Sequence, residues 1–108
     1  MKSNQLTKGH DRRVMYVENK HGLVNNARAR IGWVEFSKTG RTVFYKGISL
    51  KAIGGRGVSG NFIDEATLEE YWVSGIKKRG SNAHPAETVL PVVDEDAKDE
   101  YERIRRGE

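Results

Sequence analysis

Residues Arg30 to Lys46 read RIGWVEFSKTGRTVFYK, and this stretch decides the fold. Arg30–Phe36 and Arg41–Lys46 are rich in β-branched and aromatic residues, the types that fit a pleated, half-buried surface. Between them Lys38-Thr39-Gly40 supplies a turn, with Gly40 suited to positive φ. Two such runs around a short glycine-containing loop predict a β-hairpin, closed by a type I turn with a G1 bulge. Both strands carry large residues on both faces. Ile31 and Trp33 oppose Val34 and Phe36, and Val43 and Tyr45 oppose Phe44. A sheet with one wet face alternates more cleanly. Apolarity on two faces predicts a strongly curved small barrel, or a sheet covered on its outside by a helix.

Working outward, Gly47 breaks the second run and Ile48–Ile53 (ISLKAI) reads as a further strand. Upstream, Arg12–Glu18 (RRVMYVE) is a strand, Asn19–Gly22 a turn cluster and Leu23–Ala27 a loop. Residues 1–11 are polar, without period, and are expected to be a flexible tail to a single domain over 12–108. Downstream, Gly54–Gly60 is a glycine-rich loop. Asn61–Asp64 and Glu69–Lys77 are expected to pair around a Glu65–Leu68 turn, the alternative being one helix over Asp64–Val73. Lys78–Glu87 reads as a loop, and Thr88–Val93 is extended, with Pro91 marking an edge or a linker.

Asp94–Arg106 is the predicted helix. Asp94 suits the N-cap, Glu95 and Asp96 the first turn, and Arg103, Arg105 and Arg106 the last. Asp99–Arg103 and Glu102–Arg106 are expected i,i+4 pairs. Ala97, Tyr101 and Ile104 form a narrow apolar stripe that docks lightly.

Composition bounds the chemistry. The 108 residues allow one domain, with 36% hydrophobic and 31% charged residues. The absence of cysteine removes disulfides, thiolate zinc sites and thiol nucleophiles. His10, His21 and His84 are far apart and make no metal-ligand pair. A signal peptide needs an apolar run of about 7–15 residues and a membrane helix about 20, and the chain has neither, so a cytoplasmic protein is expected. Gly55–Gly60 (GRGVSG) matches G-x-G-x-x-G in letters but lacks the βαβ unit that makes it a dinucleotide site. Its amides and Arg56 remain candidates for holding a phosphate. Asp64, Glu65, Glu69 and Glu70 read as a solvated turn, and Ser37, Ser59, Ser74 and Ser81 lack a nucleophile-elbow context. No catalysis and no cofactor are expected.

Charge is split along the chain. Residues 1–60 carry a balance of +9 and residues 61–108 one of −5, giving the net +4. A basic face for nucleic acid is one consequence; mutual neutralisation of the two halves is the other. The predicted nucleic-acid surface comprises Arg28, Arg30, Lys38, Arg41, Lys46, Arg56, Lys77, Lys78 and Arg79, with Tyr71 as a stacking aromatic beside Lys77-Lys78-Arg79. Rings in a small domain serve the core first, yet one of Trp33, Tyr45, Tyr71 or Trp72 is expected to be exposed. The rival partner is a protein, docked through a sheet edge or the C-terminal helix.

The segments RRVMYVENKHGL, ARIGWVEFSKTGRTVFYKG, EEYWVSGIKKRG and VVDEDAKDEYERI together resemble a family of short bacterial proteins of unknown function. The Gly54–Gly60 loop and the Glu65–Leu68 turn fall outside that pattern. The resemblance implies a compact, mainly β domain. Some members carry the label deoxyxylulose-phosphate synthase. A thiamine-dependent synthase needs several large domains and a diphosphate-metal motif, more than 108 residues supply, so the resemblance brings no catalytic residue. The expected fold is mainly β with one C-terminal α-helix: a small curved antiparallel sheet or SH3-like barrel of five to six strands.

Overall fold

The computed structural model describes residues 11–55, 57–78 and 90–107. Six strands follow one another as an antiparallel meander: β1 (Asp11–Asn19), β2 (Ala29–Phe36), β3 (Thr42–Tyr45), β4 (Ile48–Ala52), β5 (Phe62–Asp64) and β6 (Glu70–Ser74). β6 then pairs with β1 through Tyr16↔Ser74 to Asn19↔Tyr71, which closes the barrel. The chain is therefore mainly β, and the hairpin alternative holds over residues 61–76. Asp11, read as the end of the tail, opens β1; residues 1–10 and most of the 78–87 loop lie outside the described residues.

The predicted turn is present. Gly40 has φ +74, its N–H donates to Ser37 O at 2.9 Å, and Ser37 N–H donates to Thr42 O at 2.9 Å. Two other turns were hidden in the sequence. Asn25 and Asn26, inside the expected Leu23–Ala27 loop, both have positive φ between the reciprocally bonded Val24 and Ala27. Lys46 and Gly47 do the same between Tyr45 and Ile48. Positive φ at both central positions is the two-residue hairpin geometry that matches strand twist. Asparagine tolerates it; Lys46 is strained by it.

The two-faced apolarity has two destinations, and both expectations raised by it hold together. The barrel interior takes Val17, Val34, Val43, Tyr45, Leu50, Tyr71 and Val73. Outward-facing Val14, Tyr16, Ala29 and Ile31 form a second cluster, roofed by Ala97, Tyr101 and Ile104. The helix runs later than predicted: Glu95–Ala97 is a 3-10 turn and α1 spans Lys98–Arg105. Asp94 makes no side-chain capping bond, because its carboxylate is engaged in the barrel instead. Arg103 forks onto Glu100, at 2.8 and 2.5 Å, rather than onto Asp99. No residue of α1 is fully buried, in keeping with a narrow stripe.

Before the helix, β7 (Val92–Val93) runs parallel to Arg30–Ile31 of β2. It fills a gap, since β2 and β3 pair only through Glu35↔Phe44 and Phe36↔Val43 and then splay apart. Among the described residues no helix is long and apolar enough to cross a membrane.

Candidate nucleic-acid interface

A meander puts alternate connections at opposite barrel ends, so the predicted cations are divided. Arg28, Arg30 and Lys46 lie at the end holding the β1–β2, β3–β4 and β5–β6 connections. Lys38, Arg41, Lys77 and Lys78 lie at the other, beside the start of β1. Arg56 and Arg79 are outside the described residues. Tyr71 is a correction: it points into the barrel, 2% exposed, and its hydroxyl accepts from Asn19 Nδ2 at 3.4 Å. Its place on β6 opposite Asn19 and Phe62 leaves no face for a base.

The first end is neutralised. Fully buried Glu18 accepts from the Tyr16 hydroxyl at 2.7 Å and from Lys20 at 3.0 Å, with Arg28 at 3.7 Å. Asp94 enters the seam between β2 and β3, its N–H bonded to Ile31 O at 2.8 Å. Its carboxylate accepts from the Tyr45 hydroxyl at 2.5 Å and from Arg30 Nη1 at 3.3 Å. Arg30 also donates to Asn25 O. Lys46 Nζ lies 3.8 Å from Asp94 and 3.6 Å from Asp96. Gly32 makes room: a Cβ there would sit 2.2 Å from Asp94 Oδ2. Burial, reinforced by the bond to Asp94, holds the Tyr45 hydroxyl protonated well above the ordinary tyrosine range. Arg28, Arg30 and Lys46, each facing a carboxylate, offer little attraction to a phosphate.

The glycine-rich loop also has its anion already. Glu70 accepts from the amides of Val58, Ser59 and Gly60 at 3.2, 2.9 and 2.8 Å. These bonds hold its carboxyl below the ordinary 4.5. Gly57 and Gly60 have no space for a side chain, because a Cβ would come within 2.8 and 2.9 Å of Glu70. The neighbouring carboxylates are spent likewise. Asp64 accepts from Ala66 and Thr67 amides, Glu65 from Ser49, and Glu69 from Asn19. No group of three metal-ligating side chains occurs among the described residues.

The outer face of β1, β2 and β3 differs. Arg12, Glu35 and Phe44 form one transverse row through the register. The Arg12 guanidinium lies 4.7 Å over the ring of Trp33, one row away, and that ring is fixed by its Nε1 donating to Asp96 O at 2.9 Å. Arg12, Trp33, Glu35, Phe44, Lys46, Gly47 and Asp96 line a cleft of about 290 Å³. A second cleft of about 310 Å³, at the far end, is lined by Arg13, Phe36, Lys38 and the turn up to Gly40. Arg13 lies 5.5 Å over Phe36 and pairs with Asp11 at 2.6 Å. Arg12, Lys38 and Arg41 are exposed and make no ion pair with any described residue.

The sequence reading missed Arg12 and Arg13, and one signal for them existed. Two adjacent arginines open a strand whose apolar part starts only at Val14. Structurally β6 reaches β1 only from Tyr16 onward, which leaves that arginine end projecting. Comparison with protein-family models, with curated proteins and with solved structures returned no match.

Proposed function

We propose that this barrel is a non-enzymatic module that binds single-stranded nucleic acid across the outer face of β1–β2–β3 and the adjoining turn. Its residues are Arg12, Lys38 and Arg41 for phosphates and Trp33 and Phe44 for bases. The observation that carries this reading is three exposed cations without carboxylate partners among the described residues, set beside half-buried rings, on a barrel whose other end is charge-compensated. Phosphate attraction joined to ring stacking is how strands are held without a deep pocket. Lys78 lies at the same end of the barrel. The rival reading, a docked protein, is less well supported: β1 runs past β6 only over the short Asp11–Met15 stretch, which carries Arg12 and Arg13, and the helix stripe is spent on the sheet.

Fluorescence anisotropy with fluorescein-labelled oligothymidylate over a salt series tests the proposal. The logarithm of affinity should fall with the logarithm of salt at a slope of about −2, from three phosphate contacts at roughly 0.7 each. Charge reversal in Lys38→Glu/Arg41→Glu should weaken binding at least tenfold at low salt. Absence of binding at low salt, or affinity indifferent to salt, overturns it.

A further inference from the structure

We infer that the cleft between Arg12 and Phe44 is a base pocket selective for guanine, with Glu35 as the selecting residue. The inference rests on the single-strand reading above and adds specificity to it. Glu35 Oε2 is shielded from solvent, yet it accepts no hydrogen bond. Its cross-strand neighbour Arg12 stacks on Trp33 instead of pairing with it. A buried acceptor without a donor is rare in a folded chain and calls for an explanation, which the N–H groups of a ligand in this cleft would supply.

The cleft's other walls define that ligand. Trp33 and Phe44 offer apolar surface to a flat ring, and Arg12 stands at the rim where a sugar-phosphate would lie. The volume of about 290 Å³ is at the small end for ligand sites, which suits one base rather than a larger cofactor. Among the bases, guanine alone presents two adjacent donors, N1–H and the N2 amino group, to a carboxylate. Adenine and cytosine offer one amino donor beside a ring acceptor that a carboxylate repels. Thymine and uracil offer one imino donor flanked by two carbonyls. The carboxylate torsion is broad, so a small rotation presents both oxygens.

The experiment compares labelled oligothymidylate with the same strand carrying one central guanine, inosine, adenine or cytosine. The guanine strand should bind about tenfold tighter than the all-thymine strand, as one good bidentate contact provides. Inosine, which lacks the N2 amino group, should lose most of that gain. In Glu35→Gln the guanine-to-thymine affinity ratio should fall to near one, with circular dichroism checking the fold; the inosine series on the native protein tests the same point without any variant. Binding of all strands with no guanine preference, or a preference kept by inosine and by Glu35→Gln, overturns this inference and leaves the single-strand reading standing. Failure of every strand to bind overturns both.

Discussion

Gly32→Ala should be among the most damaging single-methyl changes in this chain. The added Cβ would lie 2.2 Å from Asp94 Oδ2 and 2.8 Å from Tyr45 Cε1, well inside contact distance. The carboxylate has little room to retreat, because the Asp94 amide is tied to Ile31 O and Val92–Val93 is paired to β2. Displacing it breaks the charge-assisted bond from Tyr45, worth about 1.5–3 kcal/mol. It also loosens the Arg30 pair, which is 20% exposed on the arginine side and so worth only about 1 kcal/mol. The expected loss is about 2.5–4 kcal/mol. At about 4–8 °C per kcal/mol for a domain of this size, Tm should fall by about 10–30 °C. Urea and thermal unfolding followed by tryptophan fluorescence measure both quantities. A double-mutant cycle with Asp94→Ala identifies the cause. With the carboxylate gone, Gly32→Ala should add no more than about 1 kcal/mol to the cost of Asp94→Ala alone. A Gly32→Ala protein within about 0.5 kcal/mol of the native one, or costs that simply add, would refute the account of the seam.

Other consequences can be measured separately. Tyr45→Phe leaves Asp94 without its shortest donor and should lower stability by about 2 kcal/mol in urea unfolding. Asn61 extends the β5–β6 ladder with its side chain, donating to Val73 O at 2.8 Å and accepting from Val73 N–H at 2.9 Å, so Asn61→Ala should cost about 1–3 kcal/mol by the same assay. Glu70 is held below its ordinary 4.5 by three loop amides, so its contribution is present above that value and lost as pH falls through the lower folded value. The amide resonances of Val58, Ser59 and Gly60 should titrate together with a midpoint below 4.5, and Glu70→Gln should abolish the transition; a midpoint at or above 4.5 counts against the loop anchor. Burial raises the hydroxyls of Tyr45 and Tyr71 above 10.0, so the stability they confer is complete below pH 10 and drains away as pH rises beyond it, which alkaline unfolding curves should show.

Strand positions were readable because Ile31, Trp33, Val34, Val43 and Tyr45 carry their burial in their own chemistry. The Gly40 turn was readable because glycine there resolves a backbone conflict. What the sequence concealed was every feature made by residues distant along the chain. Asp94 looked like a helix cap because its neighbours are acidic and helical. Only the splaying of β2 from β3, 49 positions away at Tyr45, gives its carboxylate a better partner. Glu70 looked like one of four surface acids, and only the fold brings the Val58–Gly60 amides onto it. Tyr71 looked like a stacking residue because lysines follow it. The period-2 alternation of β6 puts Tyr71 and Val73 on the inner face, and no local signal fixes which of Tyr71 and Trp72 turns inward.

The +9 and −5 halves, too, mean something different once folded. Arg30 and Lys46 come from the basic half and meet Asp94 and Asp96 from the acidic half; Lys51 meets Glu65 in the same way. Net charge is therefore a poor guide to where a polyanion would bind, since part of the imbalance is consumed in closing the molecule. The interior offers no alternative location: it is filled by Tyr45, Leu50 and Tyr71, as a barrel of so few strands must be. Any ligand must then be met on the outside, by the charges that folding leaves over. Arg12, Lys38 and Arg41 are such a remainder, and they stand where β1 outruns β6 and the β2–β3 turn projects. The proposed interface owes Arg12 to the uneven length of the strands: had β6 extended alongside Arg12, that guanidinium would lie along a paired, more crowded wall.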